Sequence, residues 1–137
     1  MFSSRCKNAI TVLIYLSERN SENYISLKEI NDFSEVSIKY LEQIMPKLIK
    51  AKYVEAKLGK SGGYRLKTEP DKIIIWDLLN LYEEDVYPVS ELENNEKYKL
   101  GKTLKMREEF YNIEKAYFYS LTIKDLIEQD YILDYVI

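Results

Sequence analysis

The sequence contains no histidine and one cysteine, Cys6, in 137 residues. Without histidine there is no Ser-His-Asp or Cys-His nucleophile system and no imidazole metal ligand. A single cysteine excludes an intrachain disulfide, a CxxC redox pair, and a cysteine-ligated zinc or iron–sulfur site within one chain. No run reaches the roughly 18 apolar residues that a membrane-spanning helix needs. The start, Met1-Phe2-Ser3-Ser4-Arg5, lacks the long apolar segment of a secretory signal. A soluble cytoplasmic protein is expected, with no membrane partner and no cofactor. No phosphate loop of the Walker kind occurs, so an enzyme is not expected. The pair Glu83-Glu84 could be imagined as catalytic carboxylates, but it opens a run that reads as an acidic linker. Glycine is also scarce, and three of the four glycines, Gly59, Gly62 and Gly63, fall within five residues.

What is present is a composition fit for one packed domain, 46% hydrophobic and 31% charged. The net charge of −3 hides an asymmetry. Residues 1–67 carry 12 Lys+Arg against 7 Asp+Glu, a net of +5, and residues 68–137 carry 8 against 16, a net of −8. A basic front half suits phosphate contacts, which supply most nucleic-acid affinity. The acidic half would repel DNA and should point away from it.

Along the chain, Ser3 or Ser4 caps a helix to near Arg19, with Ala9, Ile10, Leu13, Ile14 and Leu16 at helical spacing. Ser26-Leu27-Lys28-Glu29 reads as a capping box opening a short helix to about Phe33. Ser37 caps a third helix to about Ala51. Its apolar face is Leu41, Ile44, Met45 and Leu48, and its other face shows Lys39, Gln43, Lys47 and Lys50. Pro46 lies inside it and is expected to kink or interrupt it. Two short strands around Leu58–Gly63 form a hairpin, whose tip needs glycines for tight turns and close approach, and lysines, here Lys57 and Lys60, for charge. A helix from about Ile75 follows. Residues 83–96 hold six acids and no Lys or Arg. A long helix from about Leu100 to Ser120 carries the stripe Leu104, Phe110, Tyr111, Ile113, Tyr117 and Leu121. Thr122-Ile123-Lys124-Asp125 starts a last short helix.

The expected fold is therefore mainly α with a small β-hairpin: a winged helix-turn-helix plus a long C-terminal dimerisation helix. The expected organisation is 1–82 winged DNA-binding domain, 83–99 acidic linker, 100–129 dimerisation helix and short last helix, and 130–137 partner-binding tail. Such a unit lays its third helix in the major groove and its hairpin near a minor groove of double-stranded DNA. Helix–helix–hairpin orders also occur in winged helices that only dock proteins.

Ser37-Ile38-Lys39-Tyr40-Leu41-Glu42-Gln43, Leu48, and then Gly59-Lys60-Ser61-Gly62-Gly63-Tyr64 resemble the Rrf2 family of bacterial winged-helix repressors, and within it the cluster-free regulators of cysteine metabolism. Leu121–Leu126 is similar to the family's segment after its long helix. The resemblance implies that Ser37, Lys39, Tyr40 and Gln43 face DNA, with Gln43 at a base edge and Ser37 and Tyr40 at phosphates. Tyr40 has an alternative as a core ring with its hydroxyl at the surface. There are departures. Leu58 stands where many members have arginine. Lys52 stands where glycine often follows the recognition helix, so the usual left-handed cap is expected to be missing. The three cysteines that cluster-binding members carry before the long helix are absent. Cys6 is either a half-buried helix residue or a redox thiol with Arg5 and Lys7 as thiolate stabilisers.

The segment Asp134-Tyr135-Val136-Ile137 also resembles the C-terminus of serine acetyltransferases, whose tails enter the active site of O-acetylserine thiol-lyase, the cysteine synthase. The two resemblances imply a repressor of cysteine and sulfur genes, controlled by that enzyme at the tail. The alternatives are a winged-helix module that regulates the synthase without specific DNA binding, and a tail that packs on the protein's own dimer.

Overall fold

The computed structural model describes residues 3–19, 22–83 and 101–129. The elements in chain order are α1 (Ser4–Arg19), α2 (Leu27–Ser34), α3 (Ile38–Lys50), β1 (Val54–Lys57), β2 (Gly63–Leu66), a 3-10 turn (Pro70–Lys72), α4 (Ile75–Tyr82), α5 (Gly101–Ser120) and α6 (Ile123–Glu128). This is the expected winged helix-turn-helix with a long C-terminal helix. The acidic run 84–96 and the tail residues Asp134, Tyr135, Val136 and Ile137 lie outside the described residues, as does Glu84.

Local chemistry sets most boundaries. The Ser3 hydroxyl accepts the Cys6 amide at 3.2 Å and so caps α1. Ser26 and Ser37 do the same for Glu29 at 3.1 Å and Tyr40 at 3.2 Å. Thr122 and Asp125 complete a reciprocal capping box at the start of α6. The box expected at Ser26 is only half made, because the Glu29 carboxylate turns to Arg19 at 3.1 Å. An ion pair to a neighbouring helix competes there with the local cap.

Two further expectations are revised at α3. The helix is continuous through Pro46 rather than interrupted there. Pro46 and Glu42, whose carbonyl loses its donor, are both exposed, so water can satisfy that carbonyl. The left-handed cap is also present, on a lysine. Lys52 has φ +66°. Its amide donates to the Ile49 carbonyl, and the Tyr53 amide donates to Leu48, each at 3.0 Å. This paired pattern at a helix end normally falls on glycine.

The core is formed by Ala9, Val12, Leu13 and Leu16 of α1, Leu41, Ile44, Met45 and Leu48 of α3, Val54, and the apolar side of α4 from Ile75 to Tyr82. Ile30 and Val36 close it under the turn between α2 and α3. After α5 the chain returns to this core. The Ile75 amide donates to Leu121 at 2.9 Å, the Ile123 amide donates to Ile73 at 3.0 Å, and Ile123 is fully buried.

The dimerisation stripe expected on α5 is two faces. Tyr111 meets Trp76 edge-on at 5.8 Å, and Tyr111, Phe118 and Leu121 pack half-buried against the core. Leu104 is half-buried. Phe110, Ile113 and Tyr117, joined by Met106, are exposed on the other side. Positions 104, 111 and 118 repeat every seven residues. Positions 106, 110, 113 and 117 step by four, three and four, the spacing of a helix-pairing seam.

Candidate nucleic-acid interface

The turn between α2 and α3 is built from three residues. Glu35 takes φ +61° and its amide donates to Asn31 at 3.2 Å. Val36 is buried, and the Asn31 side-chain amide donates to the Val36 carbonyl at 2.8 Å. These contacts fix how α3 leaves α2. With Leu41, Ile44, Met45 and Leu48 locked in the core, the opposite face of α3 must point outward. Ser37, Lys39, Tyr40, Glu42 and Gln43 are all exposed there. Tyr40 is 41% exposed, which removes its alternative as a core ring.

Lys47, expected on the same face, is committed elsewhere. Its ammonium donates to the Leu81 carbonyl at 2.9 Å and lies 5.5 Å from the centre of the Tyr82 ring. It ties α3 to the end of α4. The Tyr82 hydroxyl donates to the Ile44 carbonyl at 2.8 Å, a second bond between the same helices, and burial raises its pKa above the usual tyrosine value.

The hairpin pairs Val54 with Leu66, Glu55 with Arg65, Ala56 with Tyr64 and Lys57 with Gly63. Ile25 adds a short third rung, exchanging 2.8 Å hydrogen bonds with Tyr64 in both directions. A side chain at Gly63 could not be tolerated, since its Cβ would sit 2.3 Å from the Ile25 carbonyl oxygen. Arg65 bonds the Glu55 carboxylate and the Glu22 carbonyl and stacks 4.4 Å from the Tyr24 ring centre. Lys57 reaches the same ring at 5.7 Å. Tyr24 and Arg65 thus anchor the wing, and nothing local in the sequence marks them. Beyond this anchor Lys57, Leu58, Gly59, Lys60 and Ser61 are exposed, and the Gly62 amide closes the tip on the Gly59 carbonyl at 3.0 Å.

Cys6 takes neither role expected of it. It is fully buried rather than half-buried, and its thiol pKa is pushed up to about 12, first by burial and then by Glu83. The reactive form is the thiolate, so the redox role is withdrawn. Glu83 accepts the Ser3 amide and joins the start of α1 to the end of α4.

An exposed polar helix beside a glycine-tipped basic wing defines a winged helix-turn-helix transcriptional regulator. The chain belongs to the Rrf2 family, described as iron-dependent transcriptional regulators, which matches residues 2–129. It is 32% identical over 124 residues to the HTH-type transcriptional regulator CymR of Bacillus subtilis (strain 168), covering 90% of this chain and 87% of that protein. It is 32% identical over 84 residues to the regulator IscR of Aliivibrio salmonicida (strain LFI1238), covering 61% of this chain and 50% of that protein. The solved structure of CymR, the global cysteine regulator of B. subtilis, superposes with a TM-score of 0.78 at 30% identity, over 95% of this chain and 98% of that one. These relatives are regulators of transcription, not enzymes.

The family description names iron, and the described residues do not fit an iron site. The one cysteine lies inside the core, and the chain has no histidine. Among the described residues no group of three His, Cys, Asp or Glu side chains is placed to hold a metal. Among them, too, no helix is long and apolar enough to cross a membrane.

Proposed function

We propose that this chain is a homodimeric repressor that binds promoter DNA of cysteine and sulfur genes and is controlled by a cysteine synthase. The observation that carries the DNA-binding reading is the single outward face of Ser37, Lys39, Tyr40 and Gln43 on α3, beside the exposed wing lysines Lys57 and Lys60. Likeness to a global cysteine regulator over nearly the whole chain supports the choice of genes. The exposed seam of Met106, Phe110, Ile113 and Tyr117 supports the dimer. One recognition helix reads too few bases alone, and two related by a dyad read a near-palindrome.

The tail reading rests on the likeness of Asp134-Tyr135-Val136-Ile137 to serine acetyltransferase ends. Its physical basis is substrate mimicry. A synthase that holds the carboxylate of O-acetylserine with preorganised N–H donors offers the same donors to a carboxylate carried by isoleucine. Tyr135 and Val136 would add contacts on the way in, and Asp134 would meet a basic rim.

A mobility-shift titration on promoter duplexes tests the first reading. Lys39→Ala and Gln43→Ala should each weaken specific binding by about 1–3 kcal/mol if they touch bases. Unchanged affinity in both would leave a winged helix that docks protein only. A pull-down with purified cysteine synthase tests the second. Deleting Ile137 should abolish capture, and millimolar O-acetylserine should compete with it. Capture that ignores both would make the tail a packed end of the dimer.

A further inference from the structure

Leu58 is 95% exposed, on a hairpin whose larger apolar side chains Val54, Tyr64 and Leu66 pack in or against the core. It sits at the tip between Lys57 and Lys60, and Gly59 follows it with φ +105° and open space where a side chain would be. Among the described residues nothing covers it. We propose that Leu58 is the minor-groove reader of the wing, an apolar wedge that selects A·T pairs by steric exclusion of guanine. The proposal rests on the DNA-binding reading above.

The geometry suits that task. The minor groove is about 6 Å wide, and the exposed Lys60 beside Leu58 can reach a phosphate strand while the leucine enters the groove, with Lys57 held on the Tyr24 ring below. Leucine offers no hydrogen bond. At a G·C pair the guanine 2-amino group projects from the groove floor into the space the side chain must fill, and that donor would lose its water with no acceptor in return. An A·T floor lacks the group, and a TA step opens easily for an inserted apolar side chain. The anchor of Tyr24 on Lys57 and Arg65 holds the tip steady while it is inserted.

The test uses the full chain and its Leu58→Ala variant on a pool of randomised duplexes, then titrations of one selected duplex. Leu58 is exposed, so its truncation leaves the fold intact. The wild-type chain should enrich A·T pairs in the flank under the wing, and the variant should not. A G·C pair placed there should weaken wild-type binding roughly fivefold or more. An inosine·C pair, which keeps the G·C major groove but lacks the 2-amino group, should restore it. Leu58→Ala should treat all three duplexes alike and keep the wild-type salt dependence, whereas Lys60→Ala should lower the salt slope by about one. The proposal is overturned if Leu58→Ala keeps the same flank preference, or if inosine·C binds as poorly as G·C. In both cases the Lys39 and Gln43 variants would still show weakened binding. If the wild-type chain enriches no sequence, the DNA-binding reading fails and takes this one with it.

Discussion

The winged body and α5 treat their apolar residues in opposite ways. In the body, α1, α3 and α4 each turn one apolar side inward, and Ala9, Leu13, Leu41, Ile44, Leu48, Leu78 and Leu79 are removed from water completely. On α5 the inner face rests on Trp76, but Met106, Phe110, Ile113 and Tyr117 remain open to solvent. Each such side chain forgoes about 1.5–3 kcal/mol of burial. The body closes its own core, whereas α5 leaves these four large apolar side chains exposed. The two also differ in chemistry, since the exposed side of α3 around Lys39 and Gln43 is polar, while the exposed surface of α5 sets Met106, Phe110, Ile113 and Tyr117 among charged residues.

The sharpest way to break this contrast is to charge the seam. A Phe110→Asp, Ile113→Asp double variant removes two apolar anchors from each protomer and should cost a dimer more than about 5 kcal/mol. Sedimentation at micromolar concentration should show a monomer, and circular dichroism should show the helices of the body unchanged. Operator affinity should collapse with the dimer. A variant that stays dimeric would place the contact elsewhere. A variant that unfolds would show that the body depends on α5 for its own stability.

The next effect tests where the body ends in sequence. Ile123 lies beyond α5, yet it is fully buried and its amide bonds Ile73. Ile123→Ala should lower the stability of the body by about 2–5 kcal/mol, read as a shift in the urea midpoint with an unchanged slope. The monomer–dimer equilibrium should barely move. The reverse pattern would assign α6 to the interface.

What was legible in the sequence follows the range of each interaction. Ser3, Ser37 and Thr122 announce their helices because a cap needs only three neighbouring residues. The apolar face of α3 and the glycine-tipped hairpin are equally local. The exposed recognition face, Ser37 to Gln43, followed from them, since burying one side of a helix exposes the other. The failures are long-range. Lys47 looked like its lysine neighbours until Leu81, 34 residues on, took its ammonium. Glu29 matched a capping box until Arg19 offered a partner across helices. The α5 stripe could not be divided without knowing that Trp76 sits beneath Tyr111. The four-three-four spacing that adds Met106 to the outer face was, however, readable.

The smallest predicted effect lies at the junction of recognition helix and wing. Lys52 holds a left-handed conformation that costs an L residue roughly 1–2 kcal/mol. The fold keeps it because the Tyr53 and Lys52 amides satisfy the last carbonyls of α3 only in that geometry. Glycine relieves the strain but loosens the unfolded chain and removes a cation from a helix end, where it is worth about 0.3–1 kcal/mol. A single substitution would therefore blur two effects. Lys52→Ala deletes the charge and retains the strain, whereas Lys52→Gly deletes both. The glycine variant should be more stable than the alanine variant by about 1 kcal/mol in urea unfolding. Equal stabilities would mean that the junction relaxes out of the left-handed region in solution, and the link from α3 to the wing would then be looser than the hydrogen bonds at Leu48 and Ile49 imply.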